Sequence, residues 1–238
     1  MSAHPGRYDP QANHLLAAMP PLVLDRLRPQ FERIRTDQGQ VLIPADEPVE
    51  RVCFPTGGLF SLVVKVEDGD AVEAAVVGRE GMLGSGVILG ASKSIFEELC
   101  QVEDGVLALP APALLDEFVG EPAVRDLLLC YTATLLHATA RILACNRLHV
   151  TEQRLARWLL QVRDRLGADT FFLTQEVLGH MLGVRRPTVT EAVGALERTG
   201  LIRHQRGRIR ILDDAGLEAA ACEDYVRIRD SYAALMVA

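Results

Sequence analysis

The stretch from residue 174 to residue 212 constrains the fold most, because it reads as two short helices, a tight turn between them and two short strands. Gly183 suits the left-handed residue that ends a helix. A second helix begins near Arg185 or Arg186, and Pro187 is tolerated in its first turn, where no intrahelical N–H is needed. This pattern predicts a winged helix-turn-helix whose second helix opens with two arginines.

The residues after the second helix predict a wing. Thr199 and Gly200 end that helix. Residues 201–203 and 208–211 alternate apolar and basic side chains, which is typical of half-buried strands. The four residues 204–207 would form the turn between them.

Charge is distributed unevenly along the chain. The formal net charge is −7. Residues 37–120 carry four basic and fifteen acidic side chains, whereas residues 174–212 carry seven arginines and three acidic side chains. A basic module on an acidic body favours local binding of phosphate groups and would repel non-specific DNA elsewhere.

The first half of the chain predicts an antiparallel β-barrel or jelly roll over about residues 15–120. A helical pattern at 15–31, broken at Pro20 and Pro21, precedes it. Asp68-Gly69 between two apolar runs is a hairpin signal. The short β-type runs are 41–43, 52–54, 59–66, 72–77 and 106–109. Five glycines lie within 78–90, which favours either a turn-rich corner of the barrel or a loop that cradles a ligand through its N–H groups.

A short helix is predicted at 110–118 and a long one from 121 to about 145, with an apolar stripe near a period of 3.5 residues. The stripe predicts a dimerisation seam, and packing against the chain's own barrel is the alternative. We expect both contacts to occur, on different faces of the helix. Its members are Val124, Leu127 or Leu128, Tyr131, Leu135, Ala138, Ile142 and Cys145. We assign 121–146 to this helix, residues 146–149 to a hinge and 147–238 to the winged helix-turn-helix. A final helix, capped by Asp213 and Asp214, is expected to pack on the DNA-binding module.

Other features exclude several classes of protein. The five cysteines are scattered with no CxxC pair or metal-ligand spacing, so we expect isolated core thiols, with redox sensing as the alternative, and no metal. The six histidines are dispersed, and no HExxH, GxSxG or P-loop motif occurs, so we expect no enzyme. No long uncharged apolar run or secretory leader is evident, which predicts a cytoplasmic protein without a membrane span.

Barrel, long helix, hinge and winged helix succeed one another in an order that resembles the Crp/Fnr superfamily of bacterial transcription regulators. The resemblance covers nearly the whole chain. It is strongest from residue 148, where the sequence reads LHVTEQRL, through the winged helix, and weaker at 52–86. It implies an α+β protein: a cyclic-nucleotide-binding-like sensor barrel, a long helix that pairs two subunits, and a C-terminal module that reads a palindrome.

The resemblance also implies where an effector would bind. In cyclic-AMP-binding members a Glu holds the ribose and an Arg-Ser pair holds the phosphate. The matching places fall near Gly84-Ser85 and Lys93-Ser94, where the Glu and the Arg are missing. A lysine does not replace a bidentate guanidinium without loss. We therefore expect no cofactor and no cyclic AMP binding in the usual manner, and the candidate effector residues are Gly84, Ser85, Ser94 and Thr139.

In the recognition helix, the family pattern places a Glu and, four residues on, an Arg. Pro187 and Glu191 stand there instead. Arg186 is the residue expected to make a bidentate contact to guanine. Arg185 would meet phosphate or base, and Glu191 would accept from cytosine or pair with Arg186 or Arg198. The candidate DNA-contacting residues are Thr174, Gln175, Arg185, Arg186, Thr188, Thr190, Glu191, Arg206 and Arg208.

The function implied is that of a homodimeric regulator that reads an inverted repeat in double-stranded DNA, with RNA polymerase as a candidate partner. The alternative is a small-molecule sensor module whose winged helix mainly contacts another protein.

Overall fold

The computed structural model describes residues 8–65 and 71–235, in which two hydrophobic cores form. One lies in the N-terminal barrel and the helices packed on it. The other lies in the C-terminal winged helix-turn-helix, which also covers Leu59 and Val76 of the barrel. The α+β architecture expected from the sequence is confirmed, with barrel, long helix and winged helix-turn-helix in that order.

Within the described residues the barrel consists of two antiparallel sheets, ordered β1-β7-β3 and β2-β6-β4-β5. Its strands are β1 (Glu32–Arg35), β2 (Val41–Ile43), β3 (Arg51–Pro55), β4 (Leu59–Lys65), β5 (Ala71–Val77), β6 (Glu97–Val102) and β7 (Gly105–Pro110). The sequence patterns did not reveal β1 and β6, which both contain charged residues within short apolar patterns. The hairpin predicted at Asp68-Gly69 lies outside the described residues.

Two helices precede the barrel: α1 (His14–Ala18) and α2 (Pro21–Leu27), separated at the predicted proline break. The glycine-rich stretch 78–90 ends in a 3-10 helix, Ser85–Leu89, whose flanking residues Gly84 and Gly90 have φ of 76° and 83°. Most of the stretch is buried. It therefore forms a corner of the barrel, in agreement with one of the two interpretations.

The long helix has two apolar faces. After α3 (Ala111–Gly120), helix α4 runs from Pro122 to Leu148. The stripe that the sequence suggested as the dimerisation seam is buried within the chain's own core, so that choice of face was wrong. The buried members are Val124, Leu128, Tyr131, Leu135, Ala138, Ile142 and Cys145. By length and composition alone α4 could also cross a bilayer, but the stripe named above packs into the core of the barrel.

A second apolar stripe on α4 remains exposed. Leu129, Leu136 and Leu143 are 40%, 70% and 72% exposed. They recur every seven residues, which is two helical turns, so they lie on one line along the helix. Ala133 and Ala140 are also exposed and lie between them at spacings of three and four. This heptad face carries no charged residue between Leu129 and Leu143.

The hinge lies slightly later than the sequence indicated. Asn146, Arg147 and Leu148 are still helical, and only His149 and Val150 adopt extended conformations. Helix α5 (Thr151–Leu166) comes directly after them. The change of direction is therefore confined to two residues.

The winged helix-turn-helix continues with β8 (Thr170–Phe172), α6 (Gln175–Leu182), α7 (Arg186–Arg198), β9 (Ile202–Gln205) and β10 (Arg208–Ile211). The sheet order is β8-β10-β9. The three-residue β8 was not predicted from the sequence. His204 and Gln205 were expected in the turn, whereas they extend β9 and leave a two-residue turn at Arg206-Gly207.

The C-terminal segment forms two helices where one was predicted: α8 (Asp214–Ala220) and α9 (Asp224–Leu235). Helix α8 packs on α5, but α9 packs mainly on α4. Ile228, Tyr232 and Leu235 of α9 join the core of the barrel. The expectation that the whole tail would pack on the DNA-binding module was therefore wrong for α9.

Two cysteines predicted to be isolated meet each other. The Sγ atoms of Cys145 and Cys222 lie 3.1 Å apart in the interior. The break between α8 and α9 brings Cys222 against the last turn of α4. A separation of 77 residues in sequence left no local pattern from which this contact could be predicted.

Candidate DNA interface

The turn between α6 and α7 is held by local geometry. The Thr174 hydroxyl accepts a hydrogen bond of 3.2 Å from the Val177 N–H and so caps α6. Gly183 ends α6 with φ of 59°. A Cβ on Gly179 would lie 3.2 Å from the Val184 carbonyl oxygen, so a glycine here allows the close approach of the turn. These features fix the start of α7 relative to α6.

Helix α7 has a buried face and an exposed face. Val189, Ala192, Val193 and Leu196 are buried against the neighbouring helices. The exposed face carries the expected DNA-contacting residues: Arg185, Arg186, Thr190 and Glu191 are exposed, and Thr188 is half-buried. Arg185 is the N-cap and Arg186 the first helical residue. Both guanidinium groups therefore lie at the end of α7 whose backbone N–H groups also favour an anion.

Two of the candidate residues contact each other directly. The Thr190 hydroxyl lies 3.3 Å from Oε1 of Gln175 and 3.1 Å from the Arg186 carbonyl oxygen. Gln175 at the start of α6 and Thr190 in α7 thus form one polar surface. Thr174 adjoins it, half-buried.

No ion pair forms at Arg185, Arg186 or Glu191 within the part of the chain that the structure describes. The pairing of Glu191 with Arg186 or Arg198, one of its two predicted roles, is thus absent here. An arginine without an internal carboxylate keeps its donors available for a ligand.

The wing presents a second basic surface. Ile202, Ile209 and Ile211 are buried, whereas Arg203, Arg208 and Arg210 are exposed. Arg206 occupies the tip, where its φ is 50° and that of Gly207 is 75°. A Cβ on Gly207 would meet the Phe172 ring at 2.8 Å, so the turn packs closely on β8. The predicted contacts Arg206 and Arg208 therefore belong to a well-packed hairpin.

The helix-turn-helix is docked on the barrel of its own chain. The Sδ atom of Met181 in α6 lies 3.4 Å from the Ser61 hydroxyl and 3.5 Å from Nε2 of Gln101. A Cβ on Gly183 would be 3.9 Å from Val72 in β5. An ion pair also joins the two modules: Nε of Arg165 in α5 lies 2.7 Å from Oε1 of Glu80, and both side chains are largely buried. The barrel thus contacts the DNA-binding module directly as well as through the hinge.

A buried carboxylate lies at this junction. Oε1 of Glu73 in β5 accepts a hydrogen bond of 2.7 Å from the Trp158 indole of α5, and Oε2 accepts one of 2.6 Å from the Ser61 hydroxyl. Burial raises the pKa of Glu73 to about 7, because the desolvation of the charge outweighs the opposite effect of these donors.

The candidate effector residues are only partly brought together. The Gly84 N–H and the Ser94 hydroxyl both contact the Glu98 carboxylate, at 2.9 and 3.2 Å. Burial raises the pKa of Glu98 to about 7. Ser85 is buried beside Gly84, whereas the Thr139 hydroxyl donates to the Leu135 carbonyl of its own helix. A carboxylate from β6 thus occupies the donors that the sequence suggested for an effector.

Sequence reasoning missed Glu73, Trp158 and Glu98. The Trp158–Glu73 contact joins residues 85 positions apart, and the Gly84–Glu98 contact joins residues 14 positions apart. The single tryptophan was assigned only to a buried face of α5. An acidic residue within the otherwise apolar run 72–77 is the one local signal, since a buried charge needs a partner.

Comparisons with known proteins point to one kind of molecule. Residues 153–220 match the model of a Crp-like helix-turn-helix domain. The chain is 27% identical over 205 residues to the transcriptional regulatory protein btr of Bordetella pertussis, covering 79% of this chain and 80% of that protein. It is 24% identical over 208 residues to a CRP-like cAMP-activated global transcriptional regulator of Mycobacterium tuberculosis, covering 84% and 93%. The FixK2 structure from Bradyrhizobium japonicum shares the fold, with a TM-score of 0.71, 18% identity and coverage of 81% and 98%.

Proposed function

Because this chain belongs to the Crp/Fnr superfamily of transcription regulators, we propose that it acts as a homodimer that reads an inverted repeat in double-stranded DNA. The single observation that carries the proposal is the exposed pair Arg185 and Arg186 at the start of α7. An arginine there can meet guanine O6 and N7 in the major groove, and its neighbour can meet phosphate.

The arrangement of the remaining candidate residues supports the same binding mode. Gln175 and Thr190 form a polar surface beside the arginines, and Thr174 and Thr188 border it. On the wing, the exposed Arg206 and Arg208 would contact the DNA backbone. Glu191 has no internal cationic partner within the described chain and is assigned to the base edges, where it can accept from cytosine N4.

The exposed stripe of Leu129, Leu136 and Leu143 supports the homodimer. Leucines at heptad spacing with alanines between them form the apolar seam by which two helices pair. Pairing along α4 would place two copies of α7 on either side of a twofold axis. Two such helices about 34 Å apart enter successive major grooves of one DNA face.

The effector is not cyclic AMP bound in the family manner. One relative is named as cAMP-activated, but here Glu98 already engages the Gly84 N–H and the Ser94 hydroxyl. An anionic phosphate at these donors would have to displace a buried carboxylate. Thermal unfolding with increasing cyclic AMP checks this expectation: an unchanged midpoint is predicted, and a concentration-dependent rise would overturn it.

Selection from a pool of random duplexes tests the function itself. The full chain is expected to enrich an inverted repeat, since a twofold dimer binds two equal half-sites. Enrichment of a single unpaired half-site would reject the dimeric mode. Absence of any enriched sequence, together with unchanged weak binding to all duplexes, would instead favour a winged helix that contacts protein.

RNA polymerase remains the candidate partner for a chain that acts on promoters in the cytoplasm.

A further inference from the structure

Four potential metal ligands converge at the hinge. They are Cys145 in the last turn of α4, His149 directly after it, Cys222 in the link from α8 to α9, and Asp224 at the start of α9. One donor atom from each residue lies within 4.8 Å of all the others. We call these residues the Cys145 cluster.

The donors match the preference of one class of ion. Two thiols, an imidazole and a carboxylate are ligands of zinc, which binds sulfur at about 2.3 Å and nitrogen or oxygen at about 2.0–2.2 Å in a tetrahedral arrangement. Donors at those bond lengths lie roughly 3.3–3.8 Å from one another around the ion. The four donor atoms lie within 4.8 Å of one another, close to that spacing. The two sulfur atoms, 3.1 Å apart, would separate to about 3.8 Å when both bind the ion. Hard cations such as Mg²⁺ and Ca²⁺ prefer oxygen alone.

The cluster is shielded from water. Cys145 is fully buried, and Cys222 and Asp224 are each 3% exposed. The nearest cationic atom to Asp224 is Nη1 of Arg141, at 3.6 Å from Oδ1. This ion pair engages one carboxylate oxygen, and a bound cation would give the buried Asp224 carboxylate a second partner.

His149 is oriented as a metal-binding histidine would be. Its Nδ1 is buried and makes no hydrogen bond in the described chain, and it faces Oδ2 of Asp224 at 3.8 Å. Its Nε2 lies 3.4 Å from a carboxylate oxygen of Glu223. A histidine that binds zinc through one ring nitrogen usually directs its other ring nitrogen to a carboxylate. Here Nδ1 would bind the ion, and Nε2 faces Glu223.

We infer that Cys145, His149, Cys222 and Asp224 form a binding site for a zinc ion. A disulfide has an S–S length of about 2.05 Å, and the sulfur atoms are farther apart than that. The site lies at the hinge residues His149 and Val150. A bound ion therefore ties the end of α4 to the start of α9 and restrains the hinge on which the winged helix-turn-helix turns.

Metal analysis of the full-length chain tests the inference. Protein purified under reducing conditions and dialysed against zinc, then against metal-free buffer, should retain about one zinc per chain. Cobalt loaded in place of zinc should give the thiolate-to-cobalt charge-transfer band of a site with sulfur ligands. Cys222→Ser should lower the zinc affinity by more than about 100-fold, since losing a ligand exceeds the effect of losing an outer partner. The matched control is Cys130→Ser, because Cys130 is an exposed cysteine of α4 outside the cluster.

Three results would overturn the site. They are a wild-type chain that retains neither metal, a Cys145–Cys222 disulfide in the protein purified under reducing conditions, and equal loss of zinc in Cys130→Ser and Cys222→Ser. Should Cys222→Ser fail to fold, the cobalt spectrum of the wild-type chain decides the question alone. The assay needs no DNA, so its outcome is independent of the proposed regulatory function.

Discussion

The indole nitrogen of Trp158 donates a hydrogen bond of 2.7 Å to the Glu73 carboxylate, and this contact joins the winged-helix module to the barrel. Both residues are buried. Helix α5 is thus attached to strand β5 of the barrel by a buried polar contact, and the strength of this hydrogen bond depends on the charge of Glu73.

Glu73→Gln is expected to change the dependence of stability on pH. The folded-state pKa of Glu73 is raised from 4.5 to about 7. The folded chain therefore holds a proton that the unfolded chain has lost, and this contribution to stability disappears as the pH rises through 7. Wild type should lose up to about 3 kcal/mol relative to the glutamine variant between pH 5 and 8. Urea unfolding across that range measures the difference, with Glu47→Gln, at an exposed glutamate, as the control. A constant difference at all pH values would contradict the assignment.

Tyr131→Phe is expected to destabilise the junction between α4 and the barrel. The hydroxyl donates to the Met82 carbonyl at 3.0 Å and accepts from the Met82 N–H at 3.1 Å, in full burial. Its removal leaves two buried backbone groups unpaired, at a cost of about 1–3 kcal/mol. Thermal or urea unfolding measures the loss. Tyr8→Phe, at a partly buried tyrosine, should change stability much less, and equal effects would argue against this role.

Leu136→Glu is expected to separate the dimer without unfolding the chain. Leu136 is 70% exposed on α4, so a charge there costs little in a monomer, but it would be buried in the paired seam. Sedimentation or light scattering should show a shift from dimer to monomer, with the far-UV spectrum unchanged. Leu22→Glu, at an equally exposed leucine of α2, serves as control. A dimer that persists in L136E would place the interface elsewhere.

Arg186→Ala is expected to cost about 1–3 kcal/mol of binding to the selected site and to relax specificity at one base pair. Arg208→Ala, on the wing, should weaken binding to specific and random duplexes alike, because a phosphate contact carries no sequence information. Fluorescence anisotropy on both duplexes compares the two variants. An equal loss on both duplexes for Arg186→Ala would assign that arginine to the backbone instead.

Much of the DNA-binding module could be predicted because its signals are local. Gly183, Pro187 and Gly200 each mark a helix end or start through their own backbone preferences. The short strands β6 and β8 gave no such signal, since Glu97 and Glu98 interrupt the apolar pattern of β6 and β8 has three residues.

The faces of α4 show a different limit. Tyr131 and Leu136 both belong to apolar stripes of similar spacing, and periodicity alone does not tell which stripe meets the barrel. The break before α9 and the meeting of Cys145 with Cys222 depend on packing between distant segments. Only the short separation of Cys145 and His149, four residues apart at the end of α4, offered a local signal for that cluster.

The most direct test of the central claim compares two affinities of the wild-type chain. One duplex carries the selected inverted repeat, and the other carries the same sequence with one half-site scrambled. A homodimer that reads both half-sites through Arg186 should lose at least about 100-fold in affinity on the scrambled duplex, because each lost base contact costs roughly 1–3 kcal/mol. Equal affinity for the two duplexes would contradict the paired reading of DNA.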